Sequence, residues 1–160
     1  MRRIVRVVAA LAVVGPAACG GGGTPTAPTA PRISVAGNYD IHKTVTVDSC
    51  GISAPGSSFS NPGEVRHTAG ATTFVLNDHG TRDLSGSLNA DGSFTIAPTR
   101  GLVMNTINAV DTWDGGRFTT AGFDVRVTTD LETSPVNGGP PCRVITQWAA
   151  TRVGGQNTVP

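Results

Sequence analysis

The chain has 160 residues and a formal net charge of +1, and only 14% of its residues are charged. Its 21 glycines and 11 prolines are typical of a chain built from turns and short strands rather than long helices. Three of the 12 basic residues lie within the first six positions, so the chain without residues 1–18 has nine basic and 11 acidic residues, a charge of −2. Such a nearly neutral surface argues against a nucleic-acid partner and against a polybasic membrane patch.

The N-terminal segment has the pattern of an export signal. Arg2, Arg3 and Arg6 form a positive start, and residues 4–14 are almost entirely apolar. This apolar run is shorter than the roughly 20 residues that a membrane-spanning helix requires. We therefore expect residues 1–18 to be a signal peptide.

Small residues precede Cys19 and a glycine tract follows it, in the order PAACGGGG. This arrangement resembles the lipobox of bacterial lipoproteins, in which a peptidase cuts before the cysteine and a lipid is attached to its thiol. The resemblance implies an envelope protein anchored to a membrane through Cys19, in the outer membrane if the organism has one. Pro16 stands where the family prefers leucine, so ordinary secretory cleavage is the alternative.

Residues 19–33 show no apolar periodicity and alternate proline with small residues, which predicts a flexible linker. The period-two pattern that begins at residue 34 predicts a β domain over residues 34–154. We expect residues 155–160 to be a disordered tail.

The chain contains three cysteines, Cys19, Cys50 and Cys142. If a lipid occupies Cys19, two remain in an oxidising compartment, and we expect them to form a disulfide bond with each other. A metal site is the alternative for this pair, but neither a CxxC motif nor a histidine at ligand spacing accompanies it.

Strict alternation marks the first strand of this domain. Tyr39, Ile41, Val45 and Val47 share one face, as a half-buried strand requires, and Lys43 is the one polar residue on that face. A long loop over residues 51–63 follows it.

Short strands separated by turns make up the rest of the domain. Asp91-Gly92 lies between two alternating runs and predicts a hairpin, and residues 114–116 predict another turn. The strands are expected at residues 65–68, 72–77, 82–88, 93–97, 102–110, 123–127 and 142–153.

A Cys50–Cys142 bridge would join the first strand to the last, as expected where the two ends of a sheet meet. The sequence therefore predicts an all-β fold, a small antiparallel up-and-down barrel of about seven or eight strands. A two-sheet sandwich is the alternative.

Seven positions in this domain resemble small bacterial lipoproteins that carry a calycin-like β-barrel. They are Gly37, Tyr39, Cys50, Cys142, Trp148, Ala150 and Arg152. The resemblance implies a fold but no reaction. It also implies that Arg152 packs over Trp148 or Tyr39 near the end of the barrel.

Metal sites are weakly indicated. His42, His67 and His79 come from separated segments, and their spacing matches no zinc pattern. Residues 89–93 resemble the start of a calcium loop but lack its closing acidic ligand, so a hairpin turn is the better interpretation. We predict neither a metal nor a cofactor.

Catalysis is also weakly indicated. Asp78 and His79 near Asp83 could support acid–base chemistry, and Ser85 or Ser87 could be a nucleophile, but no G-x-S-x-G motif is present. We expect the protein not to be an enzyme.

Two functional classes remain. The first is a non-catalytic envelope domain that presents its loops, residues 51–63 and 132–141, to another protein. The alternative is a lipocalin-like module that binds a small apolar ligand inside the barrel. The candidate ligand-lining residues are Tyr39, Phe74, Phe94, Phe123, Trp148 and Arg152.

Overall fold

The computed structural model describes residues 32–79, 82–103, 106–136 and 138–160, and the predicted signal peptide and Cys19 lie outside these ranges. Within them no helix is long and apolar enough to cross a membrane. The described residues form nine strands: β1 (Gly37–Asp48), β2 (Ser58–Arg66), β3 (Thr73–Asp78), β4 (Arg82–Leu88), β5 (Ser93–Ile96), β6 (Thr99–Val103), β7 (Ile107–Phe118), β8 (Gly122–Leu131) and β9 (Cys142–Arg152).

The strands form a closed antiparallel barrel. Each strand from β1 to β5 pairs with the next, as do β7, β8 and β9. β1 then pairs with β9, and β5 pairs with β7. The predicted all-β antiparallel barrel of about seven or eight strands is therefore confirmed, with eight strands in the barrel and β6 as one additional strand. The predicted disulfide bond between Cys50 and Cys142 is present and joins the end of β1 to the start of β9.

β5 and β6 occupy one position in the barrel wall, because both pair with β7 in a single register. Pro98 separates them, and a proline cannot donate a hydrogen bond to a neighbouring strand. At the same level β7 contains a bulge, in which Gly115 has φ 66°. The turn predicted at residues 114–116 is thus a bulge inside a strand, and residues 102–110, predicted as one strand, belong to two.

β2 begins earlier than predicted. Its first half, from Ser58 to Pro62, was expected to be loop but pairs with β1. Proline is accommodated because β3 pairs only with the second half of β2, from Gly63 onwards. The first half of β2 is therefore an edge, where a missing N–H donor costs little.

The barrel has two distinct ends. We call the end that carries the Cys50–Cys142 bond the disulfide end; the β1–β2 and β8–β9 loops project from it. We call the opposite end the termini end, because an isolated bridge between Ser34 and Thr158 joins the first and last segments of the described domain there.

Residues 155–160, predicted to be a disordered tail, instead cross the termini end. Asn157 is 5% exposed, and its Nδ2 donates to the carbonyls of Thr119 and Gly122. The Tyr39 hydroxyl lies 2.7 Å from Asn157 Oδ1 and 2.6 Å from the carbonyl of Val35. The prediction was wrong because these polar contacts come from distant strands, so local composition does not reveal them.

The termini half of the barrel is filled by five aromatic rings. Phe118 lies at their centre, with centroid distances of 4.9 to 6.4 Å to its four aromatic neighbours. Gly86 and Gly116 leave room for two of the rings, since a Cβ at either position would lie 2.4 Å from Phe74 or Phe94 respectively. The rings are those of Tyr39, Phe74, Phe94, Phe118 and Phe123.

Candidate functional site

The interior of the disulfide end is charged. Four side chains that point into it carry formal charges and form two ion pairs, Lys43 with Asp78 and Arg82 with Asp111. We call these four residues the charged cluster. It lies between the aromatic rings and a small apolar cluster of Cys50, Ala109 and Leu131 that closes this end. Buried charges are uncommon and require partners, so the cluster is the first candidate for a functional site.

Lys43 is the predicted misfit of β1, and it is only 6% exposed. Its Nζ lies 2.8 and 3.0 Å from the two carboxylate oxygens of Asp78 and 3.7 Å from the ring centroid of Trp148. Asp78 Oδ1 also accepts a hydrogen bond from Asn61. Burial lowers the pKa of Lys43, although the bond to Asp78 acts in the opposite direction. The Lys43 ammonium is therefore fixed by the Asp78 carboxylate and the ring of Trp148.

Arg82 begins β4 and reaches across the barrel to β7. Its Nη1 donates to Asp111 Oδ2 at 2.6 Å, and its guanidinium carbon lies 5.9 Å from the ring centroid of Trp113. Asp111 Oδ1 accepts a second bond from Thr129 Oγ1 at 2.6 Å. The arginine side chain is 36% exposed and the aspartate side chain 12% exposed. This pair therefore lies nearer to solvent than the Lys43–Asp78 pair.

Two hydrogen-bond donors beside this pair have no partner among the described residues. Trp113 and Trp148 pack edge to face at 4.9 Å, and Trp148 Nε1 donates to Thr146 Oγ1. By contrast, Trp113 Nε1 and Thr99 Oγ1 are buried and make no hydrogen bond. Leaving such groups unpaired costs about 1 to 3 kcal/mol each, so their position requires an explanation.

A gap in the barrel wall lies next to these donors. The pairing of β4 with β5 ends at Gly86 and Ile96, and β6 pairs only with β7 among the described residues. The first half of β4 and the whole of β6 therefore lie on opposite sides of the gap, and no backbone pairing joins them among the described residues. Thr99 pairs with Asp111, and paired residues share a face, so its side chain points inward at this gap.

Exposed apolar side chains collect at the same end. Six large hydrophobic residues of the described chain are more than 40% exposed, and five of them lie at the disulfide end. Only Val153 lies at the termini end. We call the five the apolar rim: Val47, Ile52, Phe59, Leu102 and Val136.

The two loops that carry the rim residues Ile52 and Val136 are held in place. Asp48 accepts hydrogen bonds from the backbone N–H groups of Cys50, Gly51 and Ser53. Burial alone would raise the pKa of Asp48, but these backbone donors together lower it. In the other loop, Ser134 Oγ donates to the carbonyl of Cys50. The two loops are thus joined beside the disulfide bond.

The predicted ligand-lining aromatics are core residues. Tyr39, Phe74, Phe94 and Phe123 are 1 to 4% exposed and pack on one another. A groove of about 1060 Å³ that Phe74 helps to line lies on the outer face of β2 to β5 rather than inside the barrel. In the part of the chain that the structure describes, these rings fill the space that an apolar ligand would need.

A second cavity of about 540 Å³ lies at the termini end. Ile33, Leu88 and Val159 provide its apolar lining. A third, of about 340 Å³, lies outside the disulfide bond, against Ser49, Asp130 and Arg143.

Arg152 does not stack on Trp148. Its guanidinium donates to the carbonyls of Ala36 and Gln156 and to Asn157 Oδ1 at 3.3 Å. The cation over Trp148 is Lys43 instead. The Trp148 alternative was wrong because the nearby backbone carbonyls are stronger acceptors for a guanidinium than a ring face. The other predicted neighbour, Tyr39, is the direct cross-strand partner of Arg152.

The three histidines occupy separate places. His42 Nδ1 lies 3.0 Å from Ser60 Oγ on the outer face, and His67 lies beside the backbone of Ala71 at the termini end. His79 follows β3, and its φ is 55°. In the described ranges no three histidine, cysteine or acidic side chains converge as a metal site would require.

The acid–base candidates do not come together either. Asp78 points inward to Lys43, whereas Asp83 lies on the outer face, bonded to Asn77 and Arg66. Ser85 and Ser87 are exposed on that same outer face.

The residues predicted as the start of a calcium loop, 89–93, form a turn. Asp91 Oδ1 accepts from both the backbone N–H and the hydroxyl of Ser93, and Gly92 has φ 83°. These contacts are those of a hairpin turn between β4 and β5.

Comparisons with known proteins add no information on function: no protein-family model, no curated protein and no solved structure matches this chain.

Proposed function

We propose that this protein is an exported envelope protein, anchored to a membrane by a lipid on Cys19, whose barrel is a non-catalytic domain that binds another protein. The binding surface is the disulfide end, with the apolar rim at its edge. The observation that carries this proposal is the distribution of exposed apolar side chains, five of the six being at that end. Large apolar side chains that are exposed in one region of a surface are a common mark of protein interaction sites.

The position of the chain ends supports the same orientation. Residue 32 lies at the termini end, so a linker that precedes it reaches the barrel on the side opposite to the rim. The rim and its two loops therefore face away from the point of attachment.

A small apolar ligand is the second candidate. The cavity of about 540 Å³ beside Ile33, Leu88 and Val159 favours it, since it is large enough for a small ligand and mostly apolar. Native mass spectrometry before and after denaturation separates the two candidates. A small molecule that is lost on denaturation would support the ligand, and a bare protein mass would support the protein partner.

Site-specific cross-linking tests the proposed surface. Phe59 in the rim and Val153 at the opposite end have almost the same exposure, 54% and 53%, so they are a matched pair. A photo-reactive residue at position 59, introduced in living cells, should form a covalent adduct with one envelope protein, and the same residue at 153 should not. Equal cross-linking at both positions, or none at 59, would contradict the proposed surface.

The anchor is tested separately. Cys19→Ala removes the thiol that would carry the lipid, and the protein should move from the membrane fraction to the soluble fraction. The barrel does not include Cys19, so the variant should keep the Cys50–Cys142 bond. Retention of the variant in the membrane would rule out lipidation at this residue.

A further inference from the structure

The gap beside β6 offers the backbone of an open strand edge. β6 pairs with β7 over all five of its residues, and its other side has no partner among the described residues. The pairing of β4 with β5 ends at Gly86 and Ile96. Pro98 has no backbone N–H, so it cannot continue this pairing towards β6. An edge of free N–H and C=O groups binds one kind of ligand well, an extended polypeptide that adds a strand.

The unpaired donors indicate what such a strand would carry. A residue placed opposite Thr99 on the open side shares its inward face, because cross-strand neighbours lie on the same side of a sheet. The Thr99 hydroxyl and the Trp113 indole N–H are both buried, and in the part of the chain that the structure describes both lack an acceptor. A side chain with a terminal oxygen at that position would complete both hydrogen bonds.

Charge favours a carboxylate over a neutral acceptor. The Arg82 side chain, 36% exposed, lies at the gap and points inward, whereas Arg100 alternates with Thr99 and is exposed on the outer face of β6. Arg82 binds Asp111 through Nη1, so its Nε and Nη2 groups are the ones that a second carboxylate would bind. Arginine prefers carboxylate partners, which it can bind through two parallel hydrogen bonds.

We infer that β6 binds an extended acidic segment of the partner protein, with one carboxylate directed at Thr99, Trp113 and Arg82. This inference rests on the proposed function and names the chemistry of the partner. A second copy of this chain fits the edge less well. Antiparallel pairing of two β6 strands brings together Thr-Arg-Gly-Leu-Val with itself, which supplies arginines and no carboxylate.

The test uses a phage library that displays random twelve-residue segments, selected on the mature protein. Binders should carry Asp or Glu at one fixed position. Replacing that residue with Gln in the synthetic peptide should weaken binding roughly tenfold, the effect of one charged hydrogen bond. In the nitrogen-15 spectrum the chain has two indole signals, and that of Trp113 should shift on binding together with the β6 amides.

Two variants of the protein make the test specific. Thr99→Val removes a hydroxyl that has no partner in the free protein, so the fold should remain while the affinity falls about tenfold. Thr95→Val is the matched control, since Thr95 is exposed on the outer face of β5, and it should leave the affinity unchanged. Equal effects of the two substitutions would overturn the inference.

Other outcomes are equally decisive. A selection without binders, binders without an acidic residue, or binding that leaves the β6 amides unshifted would overturn the inference. A dimer with β6 at its interface would show that a second copy is the occupant and would overturn it too. If the inference about β6 fails while cross-linking from position 59 succeeds, the proposed protein-binding function stands. If both experiments fail, the inference and the proposed function are both wrong.

Discussion

The two halves of the barrel interior are built from different chemistry. At the termini end, five aromatic rings pack together, and the polar groups that are present, such as the Tyr39 hydroxyl and Asn157, bond to each other. At the disulfide end, two ion pairs and two tryptophans share the interior, and two donors remain unpaired. The outer surface also differs between the two ends, because five of the six exposed large apolar side chains of the described chain lie at the disulfide end.

This contrast separates stability from binding. A packed apolar interior contributes free energy in proportion to the area that it buries, whereas buried ion pairs contribute little or even cost stability. The termini end thus maintains the fold through packing. The disulfide end contributes its covalent bond and small apolar cluster, but it also keeps groups that a stability argument alone does not explain. The following predictions test this division.

The largest effect is expected at the centre of the aromatic rings. Phe118→Ala removes a side chain that is 2% exposed and contacts four other rings, so the free energy of unfolding should fall by about 3 to 5 kcal/mol. Phe59→Ala at the rim is the control and should change it by less than about 0.5 kcal/mol. Urea titration measures both. A loss below about 1.5 kcal/mol for Phe118→Ala would mean that these rings are not the main source of stability.

The second prediction concerns the buried ion pair at the other end. Lys43→Met leaves the Asp78 carboxylate buried without its cation, which should cost about 3 kcal/mol. The double variant Lys43→Met/Asp78→Leu replaces both charges with apolar groups and should recover most of this loss. If the double variant is as unstable as the single one, the pair itself stabilises the fold, and the contrast between the ends is weaker than described.

The third prediction uses the single tyrosine of the chain. Burial raises the pKa of Tyr39 to about 12, against the opposing effects of Asn157 and Arg152. Because the folded pKa lies above the unfolded value of about 10, the stabilisation is complete below pH 10 and is lost as the pH rises from about 10 to 12. Absorbance at 295 nm should therefore show ionisation near pH 12 in the folded protein and near pH 10 in urea. Ionisation of the folded protein near pH 10 would show that the termini end is open to water.

The fold could be predicted largely from local patterns. Alternation and turn residues located the first strand, the Asp91-Gly92 hairpin and the last strand, and the cysteines indicated which strands close the sheet. The first half of β2 was missed because its residues are common in loops and only pairing with β1 makes them a strand. The bulge at Gly115 was missed because the sequence Asp-Gly-Gly is typical of a turn.

The candidate site was less predictable. Lys43 could be identified as a polar residue on an apolar face. Its partner Asp78 is 35 positions away, and Arg82 is 29 positions from Asp111, so register across the barrel decides both pairs.

Only part of the rim was predicted as loops. Val47 was predicted on the buried face of the first strand but is 45% exposed, because the β1–β9 register shifts between Val45 and Val47. The exposure of Phe59 depends on where the neighbouring strand β3 ends.

The smallest effect, and the most direct comparison, comes from two threonines that flank Asp111. Thr129 donates a hydrogen bond to that carboxylate, whereas the Thr99 hydroxyl is buried without a partner. Valine has nearly the same shape, so Thr129→Val should lower the free energy of unfolding by about 1 kcal/mol and Thr99→Val should raise it by about 1 kcal/mol. Opposite signs in parallel urea titrations are the expected result. A loss of stability in both would mean that Thr99 is bonded in solution, for example to water, and that its hydroxyl is not free for a partner strand.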